Sequence, residues 1–406
     1  MSAASRRRLS KWVSLALLVA FPARVSLAGE ALDPAKLARM DAAMQQAIAG
    51  RQLPGGVLWI EHTGSSYHKA YGQRALVPQP EPMTENTLFD AASLTKILAT
   101  APAVMLLHER GQLKLDEPIA ACLPEFKGNG KEAMTLRHLL THTSGFSTRL
   151  SREPDWSDPL KAFAQIGAER PTDPPGTVFR YSDINFIVLG EVVRRVSGKT
   201  LDAFAAREIF GPLKMKDTRF LPSAEDRSRI APTERVGREV LRGQVHDPKA
   251  RRMGGVAGHA GVFTTAADVA RFARMMLNGG ELDGVRILKP ESVKMMTSVQ
   301  TPSSIPARRG LGWDIDSGYS RPRGDVFPLG SYGHTGFTGV CLWIDPYSKT
   351  FWLLLSNRVH PDASANIYAL QKNLATLAAE AVRDFDFRSV PGALPPRAAN
   401  NSPKPR

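Results

Sequence analysis

Apolar positions recur with two different periods along this chain, and the periods sort it into three stretches. Leu37, Met40, Met44, Ala47 and Ile48 fall on one helical face behind Asp33-Pro34, an N-cap followed by a first-turn proline. Residues 55–62 and 66–72 are β-rich runs separated by Thr63-Gly64-Ser65, which reads as a hairpin. Near the other end, residues 339–344 and 351–356 form a second strand pair around Asp345-Pro346-Tyr347-Ser348. A helix follows, with Ile367, Leu370, Leu374, Leu377 and Val382 as its stripe. Between the two β regions the periodicity is helical. Residues 94–110 are apolar nearly all round and stop at Gly111, which predicts a buried helix. Residues 136–142, 187–196, 201–209 and 267–277 predict further helices.

Two isolated hairpins are not stable, so the strands at the two ends must pair. The pattern therefore predicts an α/β (α+β) fold. An antiparallel sheet flanked by helices is built from both ends of the chain (residues 29–88 and 290–388). A mostly helical domain, residues 89–289, is inserted between them. Ligand sites favour the cleft between two such units. No internal repeat is visible.

The two ends read differently. Arg6, Arg7, Arg8 and Lys11 precede a ten-residue apolar run, residues 12–21, too short to span a bilayer comfortably. Ser26 and Ala28 supply small residues at the −3 and −1 positions of a cleavage site, so residues 1–28 are expected to be a secretory signal peptide, with Gly29 opening the mature chain. A secreted or periplasmic location follows, with no stable membrane span after cleavage. Residues 389–406 are proline-rich and predicted to be a disordered tail.

Composition narrows the functional classes. At 43% hydrophobic and 23% charged, the 406 residues cannot be disordered throughout. The net charge is +14, but five of the basic residues lie in the first 28 positions and three more in the tail, each stretch without an acid. No dense basic block with interleaved aromatics is left, so nucleic acid is not an expected partner. Cys122 and Cys341 sit far apart in apolar contexts and read as free thiols.

Three short elements carry candidate chemistry. Ser93-Leu94-Thr95-Lys96 places a hydroxyl and an amine at i, i+3, on one helical face. A serine is a poor nucleophile until a neighbouring base takes its proton, and a buried lysine can serve. The plain alternative is a helix cap and a solvated lysine, but an ammonium early in an apolar helix is costly without a purpose. Tyr181-Ser182-Asp183 follows Pro174-Pro175-Gly176; such a tyrosine can face a cleft and relay protons, or simply pack beside Asp183 as an N-cap. His334-Thr335-Gly336-Phe337 enters a strand whose glycine permits close backbone approach. His259, in a glycine-rich loop, either lines the cleft or bonds within its loop. His138 and His142 have i, i+4 spacing but lack the glutamate of a zinc-protease helix, so neither a metal nor another cofactor is expected.

In order and spacing these elements resemble the penicillin-recognising serine hydrolases: class C beta-lactamases, D-alanyl-D-alanine peptidases and related esterases and amidases. The resemblance spans residues 32–385. Two accessory stretches, residues 136–145 and 254–263, with Val245-His246-Asp247 upstream, resemble the cell-wall branch, with its low-molecular-weight penicillin-binding proteins and muramyl-peptide amidases. The resemblance implies a beta-lactamase-like fold. It implies Ser93 as nucleophile, Lys96 and Tyr181 as the proton-exchanging pair, and the N–H groups of Ser93 and Phe337 as the oxyanion hole. Asp183, His334, Thr335, Gly336 and His259 would bind substrate.

Two positions depart from the family pattern. Asp183 stands where the family has Asn, and an ionised carboxylate accepts hydrogen bonds but donates none. Asp183 could instead hold Lys96 charged and shift base duty toward Tyr181. His334 stands where beta-lactamases have Lys, which weakens attraction to a substrate carboxylate. The expected activity is hydrolysis of a cell-wall-derived peptide amide or an ester, the partner being a small-molecule or peptidoglycan-derived substrate. A beta-lactamase, or a non-hydrolytic penicillin-binding sensor, are the alternatives.

Overall fold

A computed structural model describes residues 31–148, 150 and 158–394. The predicted signal peptide and its cleavage site lie outside the described residues, as do residues 395–406 of the tail. Residues 389–392 bend and turn, and the Gly392 carbonyl accepts from Leu329 N–H at 2.7 Å.

The strands from the two ends pair. Gly55–His62 runs antiparallel to Thr350–Ser356, with Gly56 opposite Ser356 and His62 opposite Thr350. The sheet has eight strands. Thr350–Ser356 continues through Cys341–Asp345 to Tyr332–Thr335, Asp314–Asp316 and Arg308–Arg309 at one edge. Ser65–Ala75 and Glu81–Pro82 complete the other edge.

Every residue of Thr350–Ser356 is buried, and the two-residue period divides its side chains between two cores. Trp352 and Leu354 join Leu58, Ile60, Met40, Met44 and Leu374 beneath the terminal helices Pro34–Ala49 and Tyr368–Ala381. Phe351, Leu353 and Leu355 join Val57, Phe272 and the apolar residues of the insert. The sheet thus carries its terminal helices on one face and Ala266–Leu277 with the inserted helices on the other. Among the described residues no helix is long and apolar enough to cross a membrane.

The predicted helix over residues 94–110 is helical but interrupted. A 3₁₀ turn covers Ala92–Leu94, a π-turn covers Lys96–Thr100, and regular α-helix spans only Ala101–Glu109. The wide turn is closed by Ala101 N–H on the Lys96 carbonyl; Pro102, with no N–H, cannot restore the ordinary ladder at the next position. Ser93 therefore sits in a 3₁₀ turn rather than in the first turn of an α-helix. The helix expected from residue 187 starts earlier, at Asp183, with Ser182 as its N-cap residue, so Asp183 lies in the first turn and is not the cap.

Candidate active site

A small sheet of Phe89–Asp90, Val262–Thr264 and Arg219–Phe220 leads into the Ser93 turn. Ala91 N–H bonds to the Val262 carbonyl at 2.9 Å, and Val262 N–H to the Thr95 hydroxyl at 3.2 Å. The turn is thereby fixed on both sides of Ser93. Ala92, just before it, has φ of +45°. Such a conformation costs about 1–3 kcal/mol in a non-glycine residue and persists only where the surroundings enforce it.

The Lys96 side chain is fully buried, and its three N–H groups meet three acceptors. They are Ser93 Oγ at 3.1 Å, Asp183 Oδ1 at 2.9 Å and the His259 carbonyl at 3.2 Å. Burial alone would lower the ammonium pKa, but Asp183 and then Tyr181 outweigh it, and it lies above its ordinary value. Burial likewise opposes the Asp183 charge, which Lys96 and then His259 restore, holding that carboxyl below its usual range. The two partners agree: this is a charged pair, not a neutral amine beside a neutral acid.

Other elements close around it. Lys96 Nζ lies 4.9 Å from the centroid of the Tyr181 ring. That ring packs between His142 at 4.4 Å, Tyr319 at 5.1 Å and His334 at 5.9 Å. His142 Nδ1 accepts from Ser182 N–H at 3.1 Å and from the Asn185 amide at 3.2 Å, so it fixes the turn that presents Tyr181. Gly258 brings the His259 carbonyl in. It lies against the Asp183–Ser197 helix so closely that a Cβ would stand 1.8 Å from the Phe186 carbonyl oxygen. The His259 ring turns to Asp247, 2.9 Å away, which also caps Pro248–Arg252. Gly336 packs against the residues before Ser93; a Cβ there would stand 2.9 Å from the Ala91 oxygen. Phe337 follows, 53% exposed, its ring stacked on His246 at 5.5 Å.

The structure brings Ser93, Lys96, Tyr181, Asp183, His259 and His334 together, sets Gly336 against Ala91 and Phe337 against His246, and leaves Thr335 at the end of the strand Tyr332–Thr335, its carbonyl bonded to the His334 ring. Sequence reasoning missed Asp90, Asp247 and Tyr319 as site residues, and weighed His142 as a metal ligand, which it set aside. The stretch 136–145 and Val245-His246-Asp247 were the available signals. Among the described residues, Asp183, Asp247 and His259 bring ligand atoms within 4.8 Å of one another and could cup a cation, and Asp183 already accepts from the Lys96 ammonium. Cys341 is buried and Cys122 half-buried, both free.

His334 Nδ1 lies 2.7 Å from the Thr335 carbonyl oxygen, so this nitrogen carries the proton and Nε2 keeps its lone pair. Burial, then Arg309, push His334 well below the ordinary histidine value, and the same two causes act on His142. Neither ring is charged at neutral pH. Both take up protons in the unfolded chain near pH 6.5 and not in the fold, so stability falls as pH drops through that value. The urea midpoint is expected to be lower at pH 5.5 than at pH 7.5. Equal midpoints would mean that the two rings do not set the pH dependence of stability in this range.

Comparison with known proteins gives one answer. The Beta-lactamase family matches residues 40–376. A candidate D-alanyl-D-alanine carboxypeptidase of Escherichia coli (strain K12) is 32% identical over 366 residues, covering 80% of this chain and 83% of its own length. The N-acetylmuramyl-L-alanine amidase of Bacillus subtilis (strain 168) is 31% identical over 380 residues, covering 82% and 84%. Among solved structures, a penicillin-binding protein homologue from Caulobacter crescentus has a TM-score of 0.70 at 22% identity, covering 86% of this chain and 98% of that one. A class C beta-lactamase has a TM-score of 0.70 at 20% identity, covering 87% and 98%. At such identity the structures speak for the fold, and the curated relatives and the family match carry the rest: this chain belongs to the Beta-lactamase family and is a serine hydrolase.

Proposed function

We propose that the protein is an exported hydrolase that forms an acyl-enzyme on Ser93 and acts on a cell-wall-derived peptide amide or an ester. The observation that carries this reading is the buried Lys96 ammonium, 3.1 Å from Ser93 Oγ and held by Asp183. A scaffold needs no such expensive group. The names of the amidase and carboxypeptidase relatives support a peptidoglycan-derived substrate. Export rests on the basic N-terminus, the short apolar run and the Ser26-Leu27-Ala28 site.

Ser93 Oγ attacks the substrate carbonyl carbon, and its proton passes into the Lys96–Tyr181 pair. Because Lys96 already holds three protons and three acceptors, the proton passes to the Tyr181 oxygen in its deprotonated form, which the adjacent ammonium favours, and its arrival leaves Tyr181 a neutral phenol. The carbonyl electrons move to oxygen, toward the N–H groups of Ser93 and Phe337. Collapse expels the amine or alcohol, which takes the proton back. Water then repeats the sequence on the acyl-enzyme and frees Ser93.

The test is a panel of p-nitrophenyl esters, D-Ala-D-Ala peptides, muramyl-peptides and nitrocefin, assayed on residues 29–406. An ester or a cell-wall peptide is expected to turn over. Nitrocefin is expected to be poor, because a neutral His334 offers no charge to its carboxylate and Asp183 no donor to its amide. A nitrocefin kcat/KM of about 10⁷ M⁻¹s⁻¹ or more would make the protein a beta-lactamase. Stable labelling by penicillin with no turnover of any substrate would make it a sensor.

A further inference from the structure

Asp90 touches none of the groups that exchange protons, yet it joins the two halves of the site. It ends the strand Phe89–Asp90 and is 2% exposed. Its Oδ1 accepts from Ala92 N–H at 2.8 Å, and its Oδ2 from His246 N–H at 2.6 Å. Its backbone oxygen accepts from the Thr338 hydroxyl at 2.8 Å. Ala92 is the strained residue before Ser93, and Thr338 is the residue after Phe337. A buried carboxylate with two short N–H bonds is expensive to place and needs both donors.

The ties act together. Ala92 can hold φ +45° because its N–H is anchored, and that conformation orients the peptide that carries the Ser93 N–H. The Thr338 hydroxyl pulls the chain after Gly336 onto the same anchor. His246, held by the other carboxylate oxygen, stacks its ring on Phe337, while Arg358 covers that ring at 4.7 Å. We propose that Asp90 is the positioning residue of the oxyanion hole, fixing the separation and direction of the Ser93 and Phe337 N–H groups. This rests on the acyl-enzyme reading above.

Oxyanion donors act through geometry, and loss of one costs about 10²–10³ in kcat. Displacing both by a fraction of an ångström is expected to cost less, about 10–10²-fold. Asp90→Asn keeps the shape but places an N–H₂ group against one of the two N–H donors. Thr338→Val removes the third tie and keeps the volume. The experiment measures kcat and KM for the best ester and for its thiono analogue, in which sulfur replaces the carbonyl oxygen. A tight oxyanion hole favours oxygen strongly.

Both variants are expected to lower kcat with KM within about two-fold, and to shrink the oxo-to-thiono rate ratio several-fold. Fluorophosphonate labelling of Ser93 should slow yet reach completion. Unchanged kcat, or a fall in kcat with an unchanged ratio, overturns the inference. If Asp90→Asn does not fold, Thr338→Val decides by the same ratio. Turnover surviving in Ser93→Ala would instead overturn the acyl-enzyme reading itself; a dead Ser93→Ala beside unimpaired Asp90→Asn and Thr338→Val would overturn only the role of Asp90.

Discussion

Ser93→Ala is expected to abolish covalent labelling by a fluorophosphonate and to lower turnover of the best substrate by at least about 10³-fold. The variant deletes one oxygen from a partly buried turn whose backbone is held by Ala91, Thr95 and Asp90, so the fold should be nearly unchanged. The only side-chain bond it removes, among those described at Ser93, is the one from Lys96 at 3.1 Å. Lys96 keeps Asp183 and the His259 carbonyl, and its charge stays compensated. The loss is therefore chemical, with no nucleophile to form the acyl-enzyme. Residual catalysis from orientation and the oxyanion donors is expected, since such residues act as one unit and their effects do not add. Intact-mass measurement after labelling gives the first readout, and steady-state kinetics the second. Near-normal turnover would leave the family assignment standing for the fold and move the nucleophile elsewhere.

The fold was legible because its signals are local and periodic. The two-residue alternation in 55–62 and 351–356 puts apolar side chains on both faces, and only mutual pairing can bury them; the observed register does this. The candidate residues could be named because short motifs carry them. What could not be read is what depends on three-dimensional closeness. Asp247 meets His259 from 12 residues away, and Asp90 meets His246 from 156 and Thr338 from 248. An aspartate before an apolar helix looks the same whether it faces water or two buried N–H groups. The interruption of the 94–110 helix was hidden for a related reason. An apolar run has one composition whether its turns are 3₁₀, π or α, and the φ of Ala92 is imposed by contacts, not by alanine.

Lys96 is where catalysis and stability are least separable. Lys96→Met fills the same space with an apolar chain and is expected to lower turnover by several orders of magnitude. It removes the cation beside Ser93 and leaves Asp183 as an uncompensated charge. Deleting one partner of a buried pair costs about 3–5 kcal/mol, so a lower melting temperature is expected too, and activity must be referred to the folded fraction. Asp183→Asn separates the two effects. Its oxygen can still accept from Lys96, but the opposing charge is gone. Burial, the larger influence on Lys96, then acts against the ammonium with only Tyr181 and more distant acids to offset it, and the Lys96 pKa falls. A neutral amine near Ser93 can itself take the hydroxyl proton. Asp183→Asn is therefore expected to retain acylation and to move the ascending limb of its pH profile to lower pH, while Lys96→Met and the double variant stay inactive. Tyr181→Phe should cost about 10²-fold or more in the natural background, and less in the Asp183→Asn background, where Lys96 can share the duty. An equal loss from Tyr181→Phe in both backgrounds, with an unmoved pH profile, would mean that Asp183 does not set the protonation of Lys96.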